Sequence, residues 1–252
     1  MPDSIRTALV TGGGARIGKA IVRELAAHGW ALAIHANSSA ASAEAEVARI
    51  NGDGGRAALV QADLADLDAV RTILPEANEK LGPVTLLVNN AGIFLKDTIG
   101  GLDAAIWDTQ FAVNLRAPLF LAQAFAAQLP DGEDGNIVNI IDHRVLKPRP
   151  DMTSYTLAKS ALWTATRMLA QALAPQIRVN GIGPGPVLAN QNEGEAGFAA
   201  EVAGTLLKRQ VDVADIGRAI RFLIETRSMN GQMLALDSGQ HLAWRTPDII
   251  SS

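Results

Sequence analysis

Short aliphatic runs recur down this chain, each followed by a stretch whose apolar residues have helical spacing. That alternation constrains the fold more than any other feature. The runs are TALVT (7–11), ALAIH (31–35), AALVQ (57–61), VTLLV (84–88), NIVNII (136–141), QIRVNGI (176–182) and MLALD (233–237). Helical patterns occupy 17–28, 40–50, 67–81, 103–129, the segment around Tyr155, and 213–225. Near-continuous aliphatic strands suit a sheet buried on both faces, and strand–helix alternation makes that sheet parallel. Right-handed crossovers then lay helices on both faces of a doubly wound α/β sheet. Pro118 lies inside the 103–129 pattern and is expected to kink or break that helix. Neither an internal repeat nor a linker interrupts the alternation, so residues 1–252 read as a single domain.

Charge and composition narrow the partner classes. With 26 acidic and 22 basic side chains the net charge is -4, which leaves no basic footprint for nucleic acid. Cysteine is absent, which excludes disulfides and thiolate chemistry and leaves the compartment undecided. The opening MPDSIR enters the first strand without a signal-peptide core, and no apolar run is long enough to span a membrane. A cytoplasmic protein acting on a small molecule, without a metal site, is expected.

Between the first strand and first helix stands TGGGARIG (11–18). Glycines at such a turn let the backbone approach a pyrophosphate, and the helix N-terminus adds N–H groups and a positive dipole end. Gly12, Gly14, Arg16, Ile17 and Gly18 are therefore candidate cofactor contacts in a Rossmann fold. The second strand ends in His35-Ala36-Asn37-Ser38-Ser39 and carries no carboxylate. A carboxylate there would hold a ribose 2′-OH and repel a 2′-phosphate. Asn37, Ser38 and Ser39, with Arg16 nearby, point to NADPH, although the same residues also suit a helix cap.

The chain's only tyrosine, Tyr155, lies four residues before Lys159. On a helix these side chains share one face, and the ammonium should favour the phenolate form of its neighbour. Tyr155-Thr-Leu-Ala-Lys159 resembles the Y-x-x-x-K signature of short-chain dehydrogenases/reductases. The resemblance spans about residues 5–240, with Thr11, Gly12 and Gly18 matching the family's T-G-x-x-x-G-x-G. It implies that Asp63, beside Leu64, contacts adenine. Asn90, Ala91 and Gly92 correspond to the N-N-A-G turn beside the cofactor. Asn114 corresponds to the asparagine that supports a water-linked proton relay to the lysine. By the same resemblance Lys159 binds the nicotinamide ribose as well as assisting Tyr155. Pro184, Gly185 and Val187 fall at the nicotinamide end. Association into a homotetramer or homodimer through the helices containing Asn114 and Tyr155 is also implied.

Two departures narrow the resemblance to pteridine reductases and dihydromonapterin or dihydrofolate reductases. Arg16 stands where glycine is usual, and Asp142 stands thirteen positions before Tyr155, where serine is usual. A serine hydroxyl would donate to a carbonyl that becomes negative as hydride arrives, whereas a carboxylate would oppose that charge. A carboxylate suits the N–H groups of a pterin, or supplies a proton if its pKa is raised. Asn114, Asp142, Tyr155 and Lys159 are the candidate catalytic residues, and dihydropteridine C=N reduction with NADPH is the expected activity. An NADPH-dependent carbonyl reductase and a non-catalytic dinucleotide sensor are the alternatives. His143 reads as an exposed loop residue rather than a modulator of Asp142, and the polar segment 190–197 reads as a substrate lid.

Overall fold

The computed structural model describes residues 6–189 and 194–244. Its strands are β1 (Thr7–Val10), β2 (Ala31–Ala36), β3 (Ala57–Gln61), β4 (Val84–Asn89), β5 (Gly135–Ile140), β6 (Ile177–Pro184) and β7 (Met233–Leu236). They form one sheet in the order β3-β2-β1-β4-β5-β6-β7. Every neighbouring pair is parallel. The aliphatic runs thus become the doubly wound sheet expected of them. Between the strands run α1 (Arg16–Ala27), α2 (Ala40–Gly52), α3 (Leu67–Leu81), α4 (Ala104–Phe111), α5 (Ala117–Gln128), α6 (Thr153–Ala172), α7 (Gly194–Gly204) and α8 (Val213–Glu225).

Each sheet face has its own core. On one face, Ile21, Val22 and Leu25 of α1 close over β1 and β2, while Ile216, Ile220 and Leu223 of α8 pack against α1 and β6. Their spacing of three and four residues gives each helix a single apolar stripe. On the other face, Ile73 and Leu74 of α3 and Leu121 and Phe125 of α5 cover Leu9, Leu87 and Ile137. The strand order reverses at β1 and β4, so a crevice opens beyond their carboxyl ends. The candidate site residues gather there. Among the described residues, no helix is long and apolar enough to cross a membrane.

The long helix expected over 103–129 is interrupted, but ahead of the proline. A π turn at Ala112–Arg116 separates α4 from α5, and the Ala117 N–H reaches back to the Ala112 carbonyl. Pro118 has no N–H to offer the Asn114 carbonyl four residues earlier, so the helical register slips there. Pro118 itself sits in the first turn of α5, where a missing N–H costs nothing. The segment 190–197, read as a lid, is described only in part. Residues 190–193 lie outside the described residues, and 194–197 begin α7.

Candidate active site

At the nucleotide end, backbone geometry dictates residue type. Gly12 has φ +62°, and a Cβ on Gly18 would lie 2.0 Å from the Gly12 carbonyl oxygen. Only glycine fits at position 18, and the tight turn it permits exposes the α1 N-terminus. Arg16 adopts φ 49°, a left-handed conformation that costs a non-glycine residue roughly 1–2 kcal/mol. Such strain is tolerated where the side chain has a task. The exposed Arg16 guanidinium donates through Nη2 to the Leu188 carbonyl at 3.2 Å. Gly14 accepts from the Ser42 hydroxyl at 2.6 Å, and Ile17 is half-buried beside it.

His35 organises this loop, a part no sequence pattern suggested. Its Nδ1 accepts from the Gly12 N–H at 3.2 Å, and its Nε2 lies 3.1 Å from the Ala62 carbonyl. Those partners fix the neutral tautomer with the proton on Nε2. Burial drives its pKa down to about 4, against the pull of the Ala62 carbonyl. A lone histidine in an otherwise aliphatic strand was the available signal. Beyond it, Asn37 and Ser38 are exposed. Ser39 takes the N-cap position of α2 without a side-chain capping bond. The exposed Asp63 accepts from the Ala65 N–H at 2.8 Å, while Asp66 caps α3. Leu64 is buried next to it. The set suits a dinucleotide carrying a 2′-phosphate. A glycine turn opens a helix N-terminus, Asn37, Ser38, Ser39 and Arg16 supply donors, and no acid ends β2.

Asparagines lock the strand ends together. The Asn90 amide donates to the Thr11 carbonyl at 2.8 Å, and the Thr11 hydroxyl accepts from the N–H groups of Asn90 and Ala91. Deeper, Asn89 donates to Asn139 at 2.9 Å and Asn139 to the Thr166 hydroxyl of α6 at 2.9 Å. That chain ties α6 to the sheet. Its N-terminus is held from afar: both Asp97 carboxylate oxygens accept from the Ser154 N–H, at 3.1 and 3.2 Å. A carboxylate there also complements the helix dipole.

Around α6 the reactive groups converge. A Cβ on Gly92 would meet Asn114 Oδ1 at 2.9 Å and Lys159 Nζ at 3.5 Å, so glycine lets both approach the turn. The Asn114 side chain is fully engaged with Ile93, accepting from its N–H at 3.1 Å and donating to its carbonyl at 3.0 Å. What Asn114 offers a relay is therefore its main-chain carbonyl, which Pro118 leaves without the usual helical donor. Lys159 donates to the Ile140 carbonyl at 2.8 Å, and burial lowers its pKa to about 8.

Tyr155 donates its hydroxyl proton to Asp142 Oδ2 at 2.9 Å. Lys159 Nζ lies 6.0 Å from the centre of the Tyr155 ring. At rest the expected pull of Lys159 toward phenolate is outweighed, because burial and the Asp142 charge raise the phenol well above its usual pKa. Tyr155 rests neutral. Asp142 is likewise no raised-pKa acid. Burial pushes it up, but the His143 hydrogen bond and the Arg144 charge prevail, leaving it at about 2. His143 is not an exposed loop residue. It is 4% exposed, and its Nδ1 lies 3.0 Å from the Pro184 carbonyl and 3.2 Å from Asp142 Oδ1. Two acceptors around Nδ1 place a proton there.

The other residues expected at the nicotinamide end close this corner. A Cβ on Gly185 would lie 2.6 Å from the Asp237 Cα, and Val187 is buried with its carbonyl accepting from Gln210 at 2.6 Å. Over Tyr155, the Phe94 ring packs edge to face with centroids 4.7 Å apart.

A family model described as short chain dehydrogenase matches residues 6–197. The chain belongs to the short-chain dehydrogenase/reductase family. Two solved structures resemble it over nearly its whole length. FolM alternative dihydrofolate reductase 1 from Brucella canis, complexed with NADP, shares 51% identity over 97% of each chain with a TM-score of 0.95. Its counterpart from Brucella suis, also with NADP, shares 52% identity over 97% of this chain and 98% of that one, TM-score 0.95. A short-chain type dehydrogenase/reductase of Picea abies is 32% identical over 93% of this chain and 92% of its own. For this short-chain dehydrogenase/reductase, His35, Phe94, Asp97 and Arg144 are the site-forming residues that sequence reasoning missed. Besides the lone strand histidine, Phe94 had a local signal, an aromatic residue two positions after the Asn89–Gly92 turn.

Proposed function

We propose that this enzyme is an NADPH-dependent reductase of dihydropteridine-type substrates, reducing a ring C=N bond of a dihydropterin or dihydrofolate. The observation that carries the reading is the ionised Asp142 accepting the Tyr155 hydroxyl where a ketone reductase needs a donor. An oxyanion forming beside that carboxylate would be repelled, whereas a ring N–H would be bound. The two relatives named as alternative dihydrofolate reductases support the same choice.

When bound, the nicotinamide supplies hydride to the C=N carbon, and the ring nitrogen requires a proton. Tyr155 rests neutral and holds that proton. A substrate N–H that takes over Asp142 frees the Tyr155 hydroxyl to turn toward the ring nitrogen. The Lys159 ammonium then stabilises the phenolate left behind, and the Asn114 carbonyl stands at the start of its resupply. Asp142 thus orients substrate and does not itself protonate it. Gly12, Gly14, Ile17 and Gly18 would seat the pyrophosphate, and Arg16, Asn37, Ser38 and Ser39 the 2′-phosphate. Asp63 and Leu64 would border the adenine. Asn90, Ala91, Gly92, Lys159, Pro184, Gly185 and Val187 would border the nicotinamide riboside. Leu157 and Met168, 48% and 62% exposed on one side of α6, support assembly as a homodimer or homotetramer.

Two measurements test this reading. Dihydropterins, dihydrofolate and ketones, assayed with NADPH on one preparation, should give turnover of the first two classes and little of the third. Preferential ketone reduction would make the enzyme a carbonyl reductase. Asn37→Asp should shift cofactor preference toward NADH, because an acid at that exposed position repels a 2′-phosphate. A wild-type enzyme that already favours NADH in kcat/KM would overturn the cofactor assignment.

A further inference from the structure

Arg144 bridges Asp142 and Phe94, the two groups that contact Tyr155. Its guanidinium Nη1 lies 3.2 Å from Asp142 Oδ2 and 3.4 Å from Oδ1, and its Cζ sits 5.4 Å over the Phe94 ring. The side chain is buried, with the whole residue only 6% exposed. Asp142 and Phe94 both contact Tyr155, so a flat, nitrogen-rich ring bound beside its hydroxyl would meet them. A guanidinium is planar, donates hydrogen bonds along its edge and lies flat on aromatic faces. A 2-amino-4-oxo-pteridine carries the same N–C(NH₂)–N edge. Resting on the dihydropterin reading above, we infer that Arg144 is a specificity-determining residue, an internal stand-in for the substrate's guanidine edge that substrate must displace.

The exchange discriminates between ligands. A pterin that displaces Arg144 returns to Asp142 the donors it loses and to Phe94 a flat covering. A simple ketone brings neither, so its entry would leave a buried carboxylate without its guanidinium counter-charge, a costly outcome in such a site. Specificity then arises as much from what a wrong ligand fails to replace as from what the right one binds. The displaced guanidinium has somewhere to go. Its Nη2 already lies 3.4 Å from Glu201 Oε1 on α7, and Glu201 is itself steadied by Gln240 at 3.1 Å.

The test removes the stand-in and offers it back. A side chain that fills the site most of the time weakens apparent substrate binding by the inverse of the vacant fraction. Arg144→Ala should therefore lower the KM for dihydropterin by about tenfold, and ketone turnover should rise. Millimolar methylguanidinium should inhibit the variant competitively against dihydropterin, and it should leave the wild type untouched. Arg144→Lys keeps the charge beside Asp142 but cannot lie flat, so it should shift KM the same way if the alanine variant does not fold. A raised KM, with no effect of methylguanidinium, would overturn the inference and make Arg144 a substrate-binding residue. Calorimetry of methylguanidinium with the NADPH complex of Arg144→Ala separates the two readings. Binding there supports the stand-in even if the wild type reduces no dihydropterin, whereas absence of binding removes it even if dihydropterin reduction is robust.

Discussion

Tyr155→Phe should lower kcat by about 10²-fold or more while leaving NADPH binding nearly unchanged. No other tyrosine exists in the chain to replace its proton. The substitution is otherwise mild. Phenylalanine keeps the edge-to-face packing on Phe94, and Asp142 keeps Arg144 and His143 as partners. NADPH fluorescence titration beside steady-state kinetics reads the split. Near-normal turnover would remove Tyr155 from the mechanism. A companion pH profile tests its partner. Burial lowers the Lys159 pKa to about 8, so its ammonium is present below that value and lost as pH rises through it. The charge that stabilises a tyrosinate vanishes with it. The kcat/KM for dihydropterin, which reports groups of the free enzyme, should fall above about pH 8. A profile flat well into the alkaline range would show that Lys159 acts without its charge.

These residues differ in how openly the sequence declared them. Strands buried on both faces must be aliphatic throughout, so the seven runs stood out, and their ends fall within two residues of the observed strands. The turn at Gly12–Gly18 was equally plain, since only glycine survives 2.0 Å from a carbonyl oxygen. The π turn was not, because Pro118 marks a lost hydrogen bond without saying which side of it will yield. Helix α7 has no buried residue among those described, so no apolar stripe announced it. The site's electrostatics were the least visible part. Whether Tyr155 is pulled toward phenolate or held neutral depends on which charge lies nearer. Lys159 was placed beside it by helical spacing, yet the hydroxyl reaches Asp142, thirteen positions away across a strand-to-helix connection. His143 looked like solvent-facing loop because nothing local predicts that the Pro184 carbonyl of the next strand will cover it.

Asp142→Ser should reverse the chemical preference of the enzyme. Without the carboxylate, pterin N–H donors lose their acceptor, which costs about 1–3 kcal/mol, or about ten- to a hundredfold in kcat/KM. The hydroxyl that replaces it can donate to a carbonyl oxygen as that oxygen becomes negative, so ketone turnover should hold or rise. The variant also removes one of two carboxylates beside the buried Arg144, the other being Glu201, and breaking a buried ion pair destabilises a fold by up to about 3–5 kcal/mol. Circular dichroism and a second variant therefore belong to the experiment. Asp142→Asn keeps the size of the side chain and one acceptor for the Tyr155 hydroxyl while removing the charge. It should lose dihydropterin activity without gaining that of a ketone reductase, because its amide cannot match a freely rotating hydroxyl donor. The same loss of charge removes one of the causes holding the Tyr155 phenol high, so its alkaline titration, followed by ultraviolet absorbance, should move down in both variants. If the serine variant reduces dihydropterins as fast as the wild type, Asp142 does not read the substrate. The enzyme would then be better described as a carbonyl reductase whose aspartate serves only to hold Arg144 and His143 in place.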